Sequence, residues 1–150
     1  RIRDGAARLG LPNIRTELQD ASVCREEWKD SADVVLCDVP CSGLGIIRKK
    51  PEIRFKNPDE IRTLPEIQAR ILANCAQYVK KGGTLVYSTC TILQRENEDV
   101  VRAFLTENPE FEAVSWTHPV CGERADGMVT LLPPVHNTDG FFIAKMHRKV

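Results

Sequence analysis

DVVLCDVPCSGLG, running from Asp33 to Gly45, decides how the rest of the chain is read. Val34 to Cys37 is an unbroken apolar and largely β-branched run, the pattern of a strand covered on both faces in a parallel sheet flanked by helices. Asp38 then stands at the strand's carboxyl end, and Pro40-Cys41-Ser42-Gly43 follows in backbone that has to turn. Open parallel sheets bind ligands beyond those ends, so Asp38 and Cys41 become candidate site residues on position alone.

Working outward, RDGAARLGL over residues 3–11 has the character of a helix end with Gly10 as its stop. Asn13 to Leu18 alternates apolar and polar residues and predicts a strand followed by Asp20. Downstream, residues 43–58 carry glycines and prolines without periodicity and read as a long exposed loop, a feature that tends to be functional or disordered. Thr63 and Glu66 have capping-box spacing, and Pro65 suits a first turn. Ile67, Ile71, Cys75 and Val79 then predict one apolar helix face, ended by Lys80-Lys81-Gly82.

A second apolar strand, Thr84 to Ser88, leads into Thr89-Cys90-Thr91. Glu96, Glu98 and Asp99 open a helix whose Val100, Val101, Phe104 and Leu105 share a face, and Asn108-Pro109 stops it. Strands are expected at 111–116, 128–132 and 141–146. This alternation predicts an α/β fold with a mostly parallel sheet and helices on both faces. Neighbouring strands lie about 5 Å apart, so adjacent strands ending at Asp38 and Thr89 bring Cys41 and Cys90 to one crevice.

The 150 residues are 42% hydrophobic and 28% charged, with a net charge of zero. That is the balance of one soluble domain, without an apolar run of the roughly 20 residues a membrane helix needs. No secretory leader is visible, and a cytoplasmic location is expected. The start at Arg1 without Met is expected of a piece of a longer chain.

Six cysteines lie largely inside strand and helix patterns, which suits a reducing compartment better than a disulfide framework. Cys24, Cys37, Cys75 and Cys121 read as small buried apolar residues. Cys41 and Cys90 differ because each follows a strand beside small and hydroxyl residues. Dithiol redox, metal binding and covalent catalysis all suit a thiol pair beside a carboxylate. The CxxC spacing common to redox and zinc sites is absent, and His118, His136 and His147 are scattered, so no metal is expected and covalent catalysis is favoured. Trp28 and Trp116 read as packing residues.

Asp38-Val39-Pro40-Cys41-Ser42-Gly43, Ile47-Arg48-Lys49-Lys50-Pro51-Glu52-Ile53-Arg54-Phe55, Ser88-Thr89-Cys90-Thr91 with Glu96-Asn97-Glu98, and Thr138-Asp139-Gly140-Phe141-Phe142 together resemble the Sun/Fmu family of RNA (cytosine-5)-methyltransferases. The resemblance implies a Rossmann-like fold, S-adenosylmethionine as cofactor, and methylation of carbon 5 of a cytosine in RNA, 16S ribosomal RNA in the bacterial enzymes of the family. By the family's pattern Cys90 adds to carbon 6 of the base, Cys41 assists product release, and Asp38 contacts the base near its ring nitrogen 3. Asp20, Asp38 and Pro40 fall on the cofactor side.

Arg48, Lys49, Lys50 and Arg54, with Phe55 among them, suit phosphate contacts and base stacking. DNA cytosine-5 methyltransferases use a Pro-Cys cysteine as nucleophile, so Pro40-Cys41 alone supports the opposite assignment; Thr89-Cys90 favours Cys90. The family's first strand and glycine-rich cofactor turn have no counterpart in these residues. The chain is therefore expected to be the C-terminal portion of a catalytic domain over 1–150, weak or inactive alone, or else a truncated non-catalytic RNA-binding domain that keeps the site residues.

Overall fold

Gly10, at φ 65°, follows the first helix, α1 (Ile2–Arg8), in a computed structural model that describes residues 1–119, 122 and 124–150. The strand expected over 13–18 does not form; the segment is irregular, and Leu18 is fully exposed. Local alternation alone cannot hold a strand, because its backbone groups need a ladder partner. Cys121 lies outside the described residues.

Strand β1 (Ala32–Asp38) is followed by short 3-10 turns at Leu44–Ile46 and Pro51–Phe55, within the region expected to be an exposed loop. That segment is anchored by Ile53, which is buried. Helix α2 (Pro58–Arg62) is capped by the Asn57 side chain, and helix α3 (Leu64–Ala76) begins with Pro65 in its first turn. The Thr63–Glu66 capping box does not form: the Thr63 hydroxyl instead donates to Glu60 O at 3.0 Å, back into α2. The next strand, β2 (Val79–Thr89), starts earlier than its apolar core suggests. It takes in Lys80 to Gly83, including Gly82 at φ 76°, where a helix end was expected.

Helix α4 (Glu98–Glu107) buries Val100, Val101 and Phe104, as its spacing predicts. The late elements are β3 (Phe111–Ala113), β4 (Trp116–Thr117), β5 (Arg124–Ala125), β6 (Met128–Leu131), α5 (Pro133–His136) and β7 (Phe141–Arg148). The main sheet runs β1-β2-β7-β3, with β6 also on β7, and β4 and β5 form a separate small ladder.

The α/β architecture is as expected, but the sheet is mixed where a mostly parallel one was predicted. Among the described residues only β1 and β2 pair in parallel; β2, β3 and β6 all meet β7 antiparallel. Parallel strands need a long crossover, which α2 and α3 provide between β1 and β2, whereas the short 132–140 connection returns β7 antiparallel to β6.

The core joins Cys37, Leu72, Leu85, Tyr87, Val101, Phe142 and Met146, with α3 packed on β1, β2 and α4. Helices do not cover both faces of β1 among the described residues: Val34 and Leu36 are 64% and 67% exposed on the face opposite Cys37. Apolar β-branched sequence specifies a strand, but the elements around it decide how many of its faces are covered.

Candidate active site

The parallel register places Asp38 directly opposite Ser88, and the two chains leave the sheet together. The Ser88 hydroxyl donates to Asp38 Oδ1 at 2.9 Å, and Val39 N donates to Ser88 O at 3.2 Å. Past these contacts the two turns bring Cys41 Sγ to 3.3 Å from Cys90 Sγ, both as free thiols. The two thiols thus meet as expected from adjacent strands, and Asp38 ends β1 with its side chain exposed.

Close backbone approach makes this geometry possible. Gly43 takes φ 77°, a left-handed conformation that suits glycine. Gly45 N donates to Cys90 O at 3.0 Å, tying the Pro-Cys turn to the Thr-Cys turn, and Gly140 N donates to Gly45 O at 2.8 Å. A Cβ on Gly45 would sit 2.0 Å from Gly140 O, so only glycine fits there.

Beneath the thiols lies a network of buried polar groups. Glu96, expected to open a helix, lies in the turn before α4 and is fully buried. Its Oε2 accepts from Ser42 N at 2.8 Å and from Gln68 Nε2 at 3.0 Å, while Gln68 Nε2 also donates to Pro40 O at 2.9 Å. The Tyr87 hydroxyl donates to Glu96 O at 2.6 Å, and Ser42 Oγ and Thr91 Oγ1 share a hydrogen bond of 2.7 Å. Asn97 accepts from Thr89 Oγ1 at 2.6 Å and donates to Thr91 O at 3.0 Å. Glu96 and Gln68 are site residues that the sequence reading missed. Gln68 gave no signal beyond polarity at a position that packs toward the core, whereas Glu96 lies in the Glu96-Asn97-Glu98 run that carries the resemblance.

Burial, and then the hydrogen bond shared with Cys90, push the Cys41 thiol above its ordinary range. A thiol held in this way keeps its proton near neutral pH and can donate its S–H to the neighbouring sulfur.

The pair opens into a cavity of about 350 Å³ that Ile46, Lys50, Ile53 and Lys56 also line. Lys56 Nζ donates to Ser42 O at 2.8 Å, so this lysine, the last of the five basic residues from Arg48 to Lys56, joins the site. A larger cavity of about 490 Å³, between Gln19, Ala21, Trp28, Asn74 and Tyr78, contains neither thiol of the pair.

The other basic residues of the segment are not gathered at the thiols. Arg48, at 3.5 Å, and Lys49 pair with Asp139, whose side chain is 5% exposed while theirs remain largely open to solvent. Lys49 first, and then Arg48, hold the Asp139 carboxyl below its usual range. Arg54 lies over the Phe55 ring and donates to Pro51 O.

Asp20 is exposed in an irregular segment. Ser22 donates to Asp20 Oδ1 from its hydroxyl at 2.7 Å and from its backbone N at 2.9 Å, which lowers the carboxyl's pKa and orients it. Cys37 is buried in the core with the half-buried Cys75 packed against it, and Cys24 donates to Gln77 Oε1 at 3.6 Å. Trp28 packs edge-on against Tyr78, and Trp116 packs against Ala125, Val129 and Leu131. Among the described residues no cluster of three His, Cys, Asp or Glu side chains could hold a metal ion, and no helix is long and apolar enough to cross a membrane.

Comparison with known proteins places this geometry. A model of the 16S rRNA methyltransferase RsmB/F family matches residues 1–147. The chain belongs to this family. The probable ribosomal RNA small subunit methyltransferase B of Bacillus subtilis is 44% identical, covering 99% of this chain and 35% of that protein. Among solved structures, that of PH0851 superposes with a TM-score of 0.91 at 35% identity, over 99% of this chain and 34% of its own. NSun6 from Pyrococcus horikoshii with SFG gives 0.73 at 25% identity, over 98% of this chain and 38% of its own. The chain therefore has the α/β fold of RsmB/F methyltransferases and spans about a third of the length of the relatives it matches.

Proposed function

We propose that the protein transfers a methyl group from S-adenosylmethionine to carbon 5 of a cytosine in ribosomal RNA, 16S in the family's pattern, through a covalent bond between Cys90 and carbon 6. The observation that carries this reading is the pair of free thiols 3.3 Å apart past the paired strand ends, opening into a cavity bordered by lysines. Membership of the RsmB/F family supports it, as does the S-adenosylmethionine analogue SFG in the Pyrococcus NSun6 structure.

Two exposed carboxylates suit the cofactor. Asp20 and Asp38 each present an acceptor whose orientation is held by a serine, Ser22 for one and Ser88 for the other. Asp20 would take the adenosine part, and Asp38 with Pro40 would lie between cofactor and base. S-adenosylmethionine supplies the methyl group as an electrophile when bound.

Carbon 5 of cytosine is too electron-poor to take that electrophile directly. Addition of the Cys90 thiolate to carbon 6 makes carbon 5 enamine-like and nucleophilic. The methylated adduct then loses the carbon 5 proton and expels Cys90. Cys41, held protonated by burial, is a poor nucleophile whose S–H lies against the Cys90 sulfur when that thiolate departs. The raised Cys41 pKa counts against Cys41 as the nucleophile.

Asp38 would contact the base near ring nitrogen 3 and hold it over the thiol. Lys50 at the cavity, with the solvent-facing Arg48, Lys49 and Arg54, would take the phosphates around an extruded base. Such a substrate makes the cytoplasm the place of action.

Trapping tests the reading. The natural full-length protein is incubated with S-adenosylmethionine and ribosomal RNA containing 5-fluorocytosine, which blocks proton loss from carbon 5. A protein–RNA adduct is expected from the parent and Cys41→Ala but not from Cys90→Ala. Loss with Cys41→Ala alone reverses the assignment of the two thiols. A folded, cofactor-binding parent that traps no RNA overturns the covalent reading and leaves a non-catalytic RNA-binding protein.

A further inference from the structure

The adjacent residues Glu96 and Asn97 are both fully buried, and each grips the flanks of a different cysteine. Glu96 Oε2 holds Ser42 N directly and Pro40 O through Gln68, so the peptide groups before and after Cys41 hang on one carboxylate. Asn97 holds Thr89 Oγ1 with its carbonyl and Thr91 O with its amide, the residues before and after Cys90. Tyr87 fastens the pair to β2 through Glu96 O, and the Ser42–Thr91 hydroxyl contact ties the two grips together.

A buried carboxylate is costly, and an apolar residue of similar size commonly packs as well or better. Its presence here matches the task of holding the Ser42 backbone amide and the Gln68 side-chain amide at fixed positions, which a carboxylate does with strong hydrogen bonds. Both grips converge on one quantity, the distance between two sulfurs carried by separate turns.

We propose that Glu96 and Asn97 are positioning residues that together set the separation of the two thiols, Glu96 through Cys41 and Asn97 through Cys90. The inference rests on the covalent reading for its catalytic consequence but not for its geometry. Loosening the Glu96 grip withdraws the S–H donor and impairs expulsion of Cys90. Loosening the Asn97 grip misplaces the nucleophile and impairs addition.

The test uses the natural full-length protein with Glu96→Gln and Asn97→Asp, both nearly isosteric. The first weakens a charge-assisted acceptor; the second sets an oxygen against Thr91 O in place of a donor. One readout needs no RNA. Phenylarsine oxide condenses with two close thiols, forming two As–S bonds and releasing its oxygen as water with the two thiol protons, and mass spectrometry locates the bridge. Bridging of Cys41 to Cys90 is expected to slow severalfold in both variants while their unfolding midpoints stay near the parent's. Bridging at the parent's rate overturns the proposal.

The second readout is the reaction on ordinary ribosomal RNA. Glu96→Gln is expected to accumulate a covalent protein–RNA complex, and Asn97→Asp to form it slowly. Each should lose on the order of 100-fold in kcat with KM for RNA unchanged. Equal slowing of both steps in both variants overturns the division of labour. Should Glu96→Gln not fold, Gln68→Met removes the Pro40 strap together with the Gln68 donor to Glu96, leaves Ser42 N on Glu96, and carries the same expectations. A parent that traps no RNA while its arsenical bridging depends on Glu96 and Asn97 refutes the covalent reading and leaves the geometric inference standing.

Discussion

Cys41 Sγ lies 3.3 Å from Cys90 Sγ, although the residues are 49 positions apart in the chain. Each thiol follows the end of a strand, and the parallel pairing of β1 with β2 puts those ends side by side. Burial and the hydrogen bond shared with Cys90 push the Cys41 thiol above its ordinary range.

Alkylation should report that shift. At pH 8, iodoacetamide is expected to modify Cys41 far more slowly than a free cysteine, with a rate that rises only in strongly alkaline solution. Replacing Cys90 by Ala removes a hydrogen-bond partner that raises the pKa and also opens the site, so Cys41 should then react faster. Site-resolved mass spectrometry over time checks both; equal rates in parent and variant would contradict the coupling.

Tyr87→Phe tests the network beneath the thiols. The hydroxyl donates to Glu96 O in the core, so its removal leaves a buried carbonyl without its donor. The expected cost is about 1–3 kcal/mol of stability. Urea unfolding followed by circular dichroism measures it, and a loss well under 0.5 kcal/mol would mean that the bond carries little weight.

Gly45→Ala tests the close approach between the Pro-Cys turn and the start of β7. The added carbon would press on the Gly140 carbonyl, a backbone atom that has no rotamer to move into. Overpacking of this kind costs about 1–3 kcal/mol and sometimes more. The variant should unfold at lower urea and also bridge its two thiols poorly with the arsenical, since Gly45 N holds Cys90 O.

Asp139→Asn tests the ion pairs under the basic segment. The folded-state carboxyl titrates below its ordinary 3.8, so its stabilising contribution is present above that value and disappears as pH falls through the lowered one. Parent and variant should therefore differ in unfolding midpoint at pH 7 and converge at pH 2–3. A difference that persists undiminished in acid would rule out the charge as its source.

Much of the site was legible because its signals are local. An apolar run ended by an acid and a turn marks a strand end wherever it lies, and two such runs joined by an amphipathic helix imply adjacent parallel strands. Asp38, Cys41 and Cys90 follow from that reasoning, and α4 has its expected buried face and stop at Asn108. Other features depended on partners distant in sequence. Asn13 to Leu18 has a strand's alternation but no ladder to join. Val34 and Leu36 have a covered strand's composition yet face solvent in this chain. Arg48 and Lys49 read as free cations until the fold sets the buried Asp139 beside them.

Residue pattern alone determined that this protein is α/β, that the two thiols of the candidate site follow strand ends, and that a basic segment lies between them. Those properties come from hydrophobic period and turn chemistry, which act over a few residues. Tertiary structure decided the mixed strand order, the burial of Glu96, and the protonation of Cys41. Hydrogen bonding, desolvation and the field around a sulfur depend on which distant groups come within a few ångströms, and no local pattern encodes that distance.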